Sequence, residues 1–503
     1  MKRNVLEYLE DSASDNPNKV AVIEGAHSIT YIQLQEKSRR IGTALSSMIT
    51  AKEPVGLYME KGIDALCSFF GTVYAGGCYS MLNPGLPEAR LKQISEVLQL
   101  RVIVTTAALM EAAKSYFPGV KILDIESLTA NLPDEKRLEE IRSHRIDTDP
   151  LYINFTSGST GVPKGIVVCH RSVIDFMECF TELFHITGED VIANQAPFDF
   201  DVSVKDIYSA MKTGATLVIV AKELFSKPTE LLDCLCDHQV TTMIWAVSAL
   251  CLITTFHGLD YRQPVSVNKI LFSGEIMPYK HLKEWQKHLP NAMYVNLYGP
   301  TEITCNCTYH ILEADRDYES GLPIGKAFPN EDVFLIDAEG KTICDSDIPG
   351  EIIVRGTALA LGYYNMPDKT AEHFVQNPAQ SAYPELVYKT GDVGKYNALG
   401  EIMFCGRVDN QVKHMGHRIE MEEVEHSIER VDGVERCFCI YDEKKSRIKA
   451  YYVGSIEKKE LHQCLSETLP IFMIPGFMRQ IDSMVLSKNG KIDRKATLAQ
   501  LGD

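Results

Sequence analysis

Four short segments hold the residue types that phosphate and carboxylate chemistry require. Phe155 to Gly165, FTSGSTGVPKG, follows the apolar run LYIN and gathers glycines, hydroxyls and one lysine. Glycines expose backbone N–H groups, Thr156, Ser157, Ser159 and Thr160 add hydroxyl donors, and Lys164 adds positive charge. Around Gly158, such a loop suits phosphate oxygens, the plainer alternative being a flexible Gly/Ser turn. It is not a Walker A loop, because Lys164 lies between Pro163 and Gly165 rather than before Ser or Thr. In NLYGPTE, Asn296 to Glu302, Tyr298 beside Gly299 offers a flat face for a purine, Thr301 a donor to phosphate and Glu302 a carboxylate for Mg2+. YKTGDVG puts Asp392 at a turn, where a carboxylate accepts both hydroxyls of a ribose or else caps a hairpin. In NGKIDRK, Asn489 and Gly490 form a tight turn that projects Lys491.

These residues need a scaffold, and hydrophobic periodicity supplies one. SITYIQLQEKSRRIGTALSS reads as a strand entering an amphipathic helix, PVGLYM as a buried strand, and RVIVTT, TLVIVA, TTMIWA and KILFSG as further strands. Helix-length segments such as DVSVKDIYSAMKTG and PYKHLKEWQKHLP separate them, which predicts parallel sheets covered by helices. After about residue 330 the pattern changes to short strands and turns. Beyond Arg407 a small unit follows, with a helix over 422–430, a hairpin in CFCIYDEKKSRIKAYYVG and a helix in KELHQCLSETLP.

Composition narrows the class. The 503 residues amount to roughly three domain-sized units. Hydrophobic residues at 45% and charged ones at 24% match an ordinary globular protein and exclude a disordered one. A formal charge of 51 − 68 = −17, with no basic patch, argues against nucleic acid as a partner. The fourteen cysteines show no zinc or redox spacing, so reduced thiols are expected. No formal charge occurs from Ala65 to Pro87, but Gly71, Gly76, Gly77, Asn83 and Pro84 interrupt that run. A buried helix, a turn and a buried strand are therefore expected there, with no membrane insertion. The acidic N-terminal stretch lacks the apolar run of a signal peptide, so the expectation is a cytoplasmic protein.

Together with AGGCYSMLNP, FDFDVSVKDIY and GRVDNQVKHMGHRIEMEEVE, the four segments occur in an order that resembles the adenylate-forming enzymes. That family includes acyl-CoA synthetases, luciferases and the adenylation domains of nonribosomal peptide synthetases. The sequence is most similar to amino-acid-activating members, especially the stand-alone D-alanine:carrier-protein ligases. The resemblance implies an α/β fold. A large N-terminal body, residues 1–408, would hold two helix-flanked β-sheet subdomains and a small β-barrel-like subdomain; a small mobile α+β C-terminal domain would span 409–503. It implies ATP and Mg2+ as cofactors. In that reading the loop from Thr156 to Lys164 binds phosphates, and Asn296, Leu297, Tyr298, Gly299, Thr301, Asp392 and Arg407 bind the nucleotide, Tyr298 on adenine and Asp392 on ribose. Glu302 would ligate magnesium. Lys491 would be the catalytic lysine: a carboxylate attacking the α-phosphate of ATP builds negative charge between two anions, which a fixed ammonium stabilises. Asp409 would be the hinge, and Gly416 would face an incoming phosphopantetheine thiol. The chain ends soon after Lys491, so a carrier is expected to be a separate protein.

FDFDVSV bears on the substrate. In amino-acid-activating members the aspartate matching Asp201 binds the α-ammonium, and the alternative is that Asp201 caps the following helix. The lining implied by the resemblance is Val202, Lys205, Trp245, Leu271, Ser273, Leu297, Cys305 and Asn306. Lys205 and Ser273 replace the methionine and cysteine usual in D-alanine ligases. Trp245 would shrink the pocket, while Lys205 would pair with an acidic substrate or else with Asp199 or Asp206. The reading is therefore ATP-dependent activation of an amino acid and its transfer to a carrier. An acyl-CoA synthetase using a small carboxylic acid and free CoA is the alternative.

Overall fold

The computed structural model describes residues 2–502 except 131, 159, 160, 410, 444 and 486–491. Backbone contacts divide the chain into two compact units. The first comprises residues up to 83, 98–155 and 165–408; the second comprises 84–97, 156–164 and 409 onward.

The first unit is built on three sheets among the described residues. In the nine-stranded sheet the strands Met293–Tyr298, Lys269–Ser273, Thr242–Ala246, Val191–Asn194, Thr216–Ile219 and Val20–Glu24 lie side by side and parallel. Its edges are antiparallel, closed by His27–Thr30 on one side and by Thr308–Ile311 and Lys326–Ala327 on the other. The seven-stranded sheet centres on Pro54–Tyr58, Cys78–Leu82, Val102–Thr105 and Pro150–Thr156. The third sheet has six antiparallel strands, among them Glu331–Ile336, Gly350–Gly356, Leu386–Tyr396 and Ile402–Arg407, curled as a β half-barrel.

Local sequence explains these elements. Strands Pro54–Tyr58 and Cys78–Leu82 are buried at every position, as parallel strands with covered faces must be. The uncharged run resolves into helix Ile63–Tyr74 and strand Cys78–Leu82, and among the described residues no helix is long and apolar enough to cross a membrane. Helix Tyr31–Leu45 begins in a capping box, in which Thr30 accepts from the Gln33 backbone and the Gln33 side chain from Thr30. The two faces of the nine-stranded sheet bury different cores. Ile244, Leu271, Val295 and Leu297 face one, and Trp245, Ile270, Phe272 and Tyr294 face the other.

The second unit is α+β. The hairpin Gln411–His414 with His417–Glu420 leads into helix Met421–Glu429. Val434–Asp442 pairs antiparallel with Arg447–Gly454, which pairs in parallel with Phe477–Gln480. Helices Met421–Glu429 and Lys458–Thr468 cover that sheet with Val424, Ile428, Leu461 and Leu465.

Candidate active site

In the first unit, the C-terminal ends of neighbouring parallel strands and the loops after them collect the polar groups. Strand Met293–Tyr298 runs into Gly299, Pro300 and a single 3-10 turn, Thr301–Ile303. Gly299 is required there, because a Cβ would stand 2.5 Å from the Asn306 Cα. The chain then turns back through Thr304 and Cys305, which have φ of +51° and +78°. A left-handed threonine is strained, and tertiary bonds hold it: Thr304 Oγ1 donates to the Ala358 carbonyl at 2.7 Å and the Cys307 N–H to the Tyr298 carbonyl at 2.8 Å. Neither residue is glycine, so this turn left no mark in the sequence.

The turn brings Glu302, Asn306 and Cys305 beside the start of helix Val202–Thr213. Glu302 is fully buried, and the Tyr363 hydroxyl donates to its Oε1 at 2.8 Å. Tyr363 lies far along the chain on a two-residue strand, and sequence reasoning missed it. Asp201 stands at the helix N-terminus without capping it. Its carboxylate is raised above the ordinary range by burial, against which a hydrogen bond with Thr301 works. Cys305 donates its thiol to the Asp201 carbonyl at 2.9 Å. One turn into the helix, Lys205 is 0% exposed and donates to Asn306 Oδ1 at 2.7 Å and Ser273 Oγ at 3.3 Å. Neither Asp199 nor Asp206 pairs with it: Asp199 accepts from the Asn83 amide and Asp206 from the Asn194 amide. Burial pushes Asp206 up to about 8 and Asp199 to about 6, while Lys61, held by Asn194 and the Gln195 carbonyl, is pushed down to about 8.

Val202, Leu271, Ser273 and Leu297 lie on the elements around this cluster, Leu271 and Leu297 in the same core. Trp245 does not join them, which corrects the expectation that it narrows a pocket. Side chains alternate along a strand, and Trp245 pairs in register with Phe272 on the opposite face. Its indole N–H donates to the Ala193 carbonyl at 2.8 Å, and Phe225 packs edge-on against it.

A second polar group sits on the half-barrel. Asp392 and Arg407 are register partners on antiparallel strands, and the Arg407 guanidinium donates to Asp392 Oδ1. The Tyr298 hydroxyl donates to Asp392 Oδ2 at 2.5 Å, and Thr390 Oγ1 accepts from the Asp392 N–H at 3.0 Å. Thus the aromatic ring, the carboxylate and the guanidinium expected at the nucleotide meet in one bonded group. Asn296 points elsewhere, donating to the Pro323 carbonyl at 2.8 Å.

In the second unit, two donors of the loop expected to cradle phosphate are engaged by carboxylates. The Gly158 N–H donates to Glu423 Oε2 at 3.1 Å, and Lys164 Nζ to Glu420 Oε1 at 3.1 Å. Ser157 Oγ donates to the Arg418 carbonyl at 2.8 Å and accepts from the Glu420 N–H. A carboxylate resembles one edge of a phosphate, so the donor chemistry matches an anion of either kind. Thr156 ends strand Pro150–Thr156, and its buried hydroxyl has no hydrogen-bond partner. Asp409 accepts from the Gln411 N–H, and Gly416, φ +79°, follows Met415, φ +53°, in the hairpin turn. Ser159, Thr160 and Lys491 lie outside the described residues.

Buried Glu302, with the Thr301 hydroxyl next to it in the chain, offers the hard oxygen atoms that magnesium prefers, so these residues fit the ion.

Comparison with known proteins shows the family. The family model described as AMP-binding enzyme matches residues 9–364. Bacitracin synthase 1 of Bacillus licheniformis is 32% identical over 97% of this chain, which spans only 9% of that protein. Zwittermicin A synthase ZmaJ of Bacillus cereus is 31% identical, with 100% of this chain and 96% of that protein covered. Among solved structures, the nonribosomal peptide synthetase protein PA1221, containing adenylation and PCP domains with a vinylsulfonamide inhibitor, superposes with a TM-score of 0.83. It is 23% identical, covering 99% of this chain and 84% of that one.

Proposed function

The chain belongs to the AMP-binding enzyme family as an AMP-forming adenylating ligase of the nonribosomal peptide synthetase type, and from that premise we propose that it activates an amino acid and loads it onto a separate carrier protein. In the first step a carboxylate oxygen of the amino acid attacks the α-phosphorus of ATP, the bond to the β-phosphate breaks, and pyrophosphate leaves. In the second, a phosphopantetheine thiol attacks the adenylate carbonyl and AMP leaves. The resemblance to ZmaJ runs along nearly its whole length, whereas the chain matches only 9% of bacitracin synthase 1.

The observation that carries the amino-acid reading is Asp201: a carboxylate at a helix N-terminus that makes no capping bond and lies beside Thr301 and Glu302. That position supports its assignment to the α-ammonium. Tyr298, Asp392 and Arg407 supply the ring face and polar groups for adenine and ribose; Thr301 and the Thr156 to Lys164 loop supply donors to phosphate. Glu302 holds magnesium, which when bound neutralises phosphate charge. Lys491 is assigned the ammonium at the α-phosphate, with Asp409 as hinge of a lid over 409–503 and Gly416 at the thiol channel. D-alanine, the nearest substrate by resemblance, finds no support in Lys205, whose charge a methyl side chain does not need.

The test is ATP–pyrophosphate exchange across a panel of amino acids. Exchange that requires an amino acid and is lost in Asp201→Ala is expected. Activity with a simple carboxylic acid and free CoA, untouched by that substitution, would instead make the protein an acyl-CoA synthetase.

A further inference from the structure

Resting on the amino-acid reading above, we propose that the substrate bears a side-chain carboxylate, as in aspartate or glutamate, and that the Lys205 ammonium binds it. Burial by itself pushes Lys205 toward its neutral form, and an arriving carboxylate would hold it as the ammonium. Lys205 is 0% exposed, and its two hydrogen bonds go to neutral acceptors, Asn306 Oδ1 and Ser273 Oγ. An ammonium has three N–H donors, so one is unspent. Among the described residues it forms no ion pair. Removing a cation from water without an anion is unfavourable, and a lysine serving only to fill space would be better replaced by methionine.

The acidic groups nearby do not fill the gap. Asp201, Asp206 and the Cys305 thiol are the titratable groups whose fields reach Lys205. Burial pushes both Lys205 and Asp206 toward their neutral forms; Asp206 Oδ2 accepts from Asn194 and Oδ1 meets no hydrogen-bond partner. Asp201 is engaged with Thr301 and is the group assigned to the α-ammonium.

Helix geometry completes the match. Asp201 and Lys205 are four residues apart at the start of one helix, hence on one face and about 6 Å apart along its axis. The site thus presents a negative group and, one turn deeper, a positive one. An amino acid with an acidic side chain presents the complementary pair, and its α-carboxylate is left to attack phosphorus. A cationic side chain would be repelled by Lys205, and an apolar one would leave the ammonium without an anion.

Pyrophosphate exchange by the full chain, over the proteinogenic amino acids and their D-forms, tests this. Aspartate or glutamate should give the highest kcat/KM, about tenfold or more above asparagine, glutamine and alanine. Lys205→Met should lower the value for the acidic substrate about 100-fold or more while sparing ATP affinity. Lys205→Glu should move the preference to a basic amino acid. A thermal melt checks folding of each variant, and the wild-type profile stands without them. If the wild type prefers a neutral or basic amino acid, or Lys205→Met keeps its acidic substrate, the carboxylate assignment is overturned while amino-acid activation stands. Exchange with no amino acid at all refutes the activation reading itself.

Discussion

Asp392→Asn separates the structural role of the bonded group on the half-barrel from the nucleotide binding proposed for it. The wild-type carboxylate serves two partners, the Arg407 guanidinium on Oδ1 and the Tyr298 hydroxyl on Oδ2, with side-chain exposures of 2% for Asp392 and 10% for Arg407. Asparagine keeps the shape. Its oxygen can still accept from Arg407, and its amide can donate to the tyrosine oxygen, so the hydrogen bonds survive with one reversed. What disappears is the charge. Two unit charges about 4 Å apart interact by about 4 kcal/mol at an effective dielectric constant of about 20. Removing one member of a buried pair costs about 3–5 kcal/mol because the other is stranded. We expect about 3 kcal/mol of lost stability, since Arg407 retains slight solvent contact. Urea unfolding followed by tryptophan fluorescence reads this directly, because Trp245 and Trp285 are both buried in the first unit. The midpoint should fall with an unchanged slope. Arg407→Met alone should also destabilise, and the double variant should recover much of the loss, a coupling of about 2–3 kcal/mol. A loss below about 1 kcal/mol, or additive singles, would refute the coupling of the Asp392 carboxylate to the Arg407 guanidinium. ATP affinity should fall in both singles and stay low in the double, which a purely structural pair would not produce.

Trp245→Phe removes the indole bond to Ala193 within the second core and should cost about 1–2 kcal/mol by urea titration while leaving the amino-acid profile unchanged; an altered profile would restore Trp245 to the pocket. Glu302→Gln is expected to lower pyrophosphate exchange about 100-fold or more and to raise the magnesium concentration needed for half-maximal rate, and an unshifted magnesium titration would exclude it as a ligand. Burial raises Glu331 to about 8, with one oxygen lacking a partner. Because the folded state favours the neutral acid, its contribution is complete below the unfolded value near 4.5 and is lost as pH rises through about 8. Glu331→Gln should therefore match the wild type at pH 4 and exceed it by about 2 kcal/mol at pH 9, the margin reduced for partial exposure; a difference independent of pH would contradict this.

The alternation of apolar strands with amphipathic segments was enough to determine the parallel sheets, the buried helix and strand in the uncharged run, and the hairpin-rich region after residue 330. Those features follow from local periodicity, and every residue in a strand or helix contributes to the same signal. Tyr298, Glu302 and Asp392 could be singled out as candidates for a similar reason: each stands in a short run whose composition limits what the backbone can do. Only the tertiary structure decided the partners. Tyr298 and Asp392 are ninety-four residues apart, and nothing local in either says that they bond. Tyr363 on Glu302, and the two left-handed residues at Thr304 and Cys305, were equally hidden, because they are held by groups from distant segments. The same limit applies to Lys205 and Trp245. Which face of a sheet a residue takes, and whether a buried ammonium meets a carboxylate or an amide, depends on strand register and long-range packing, and these are properties of the assembled fold rather than of neighbouring residues.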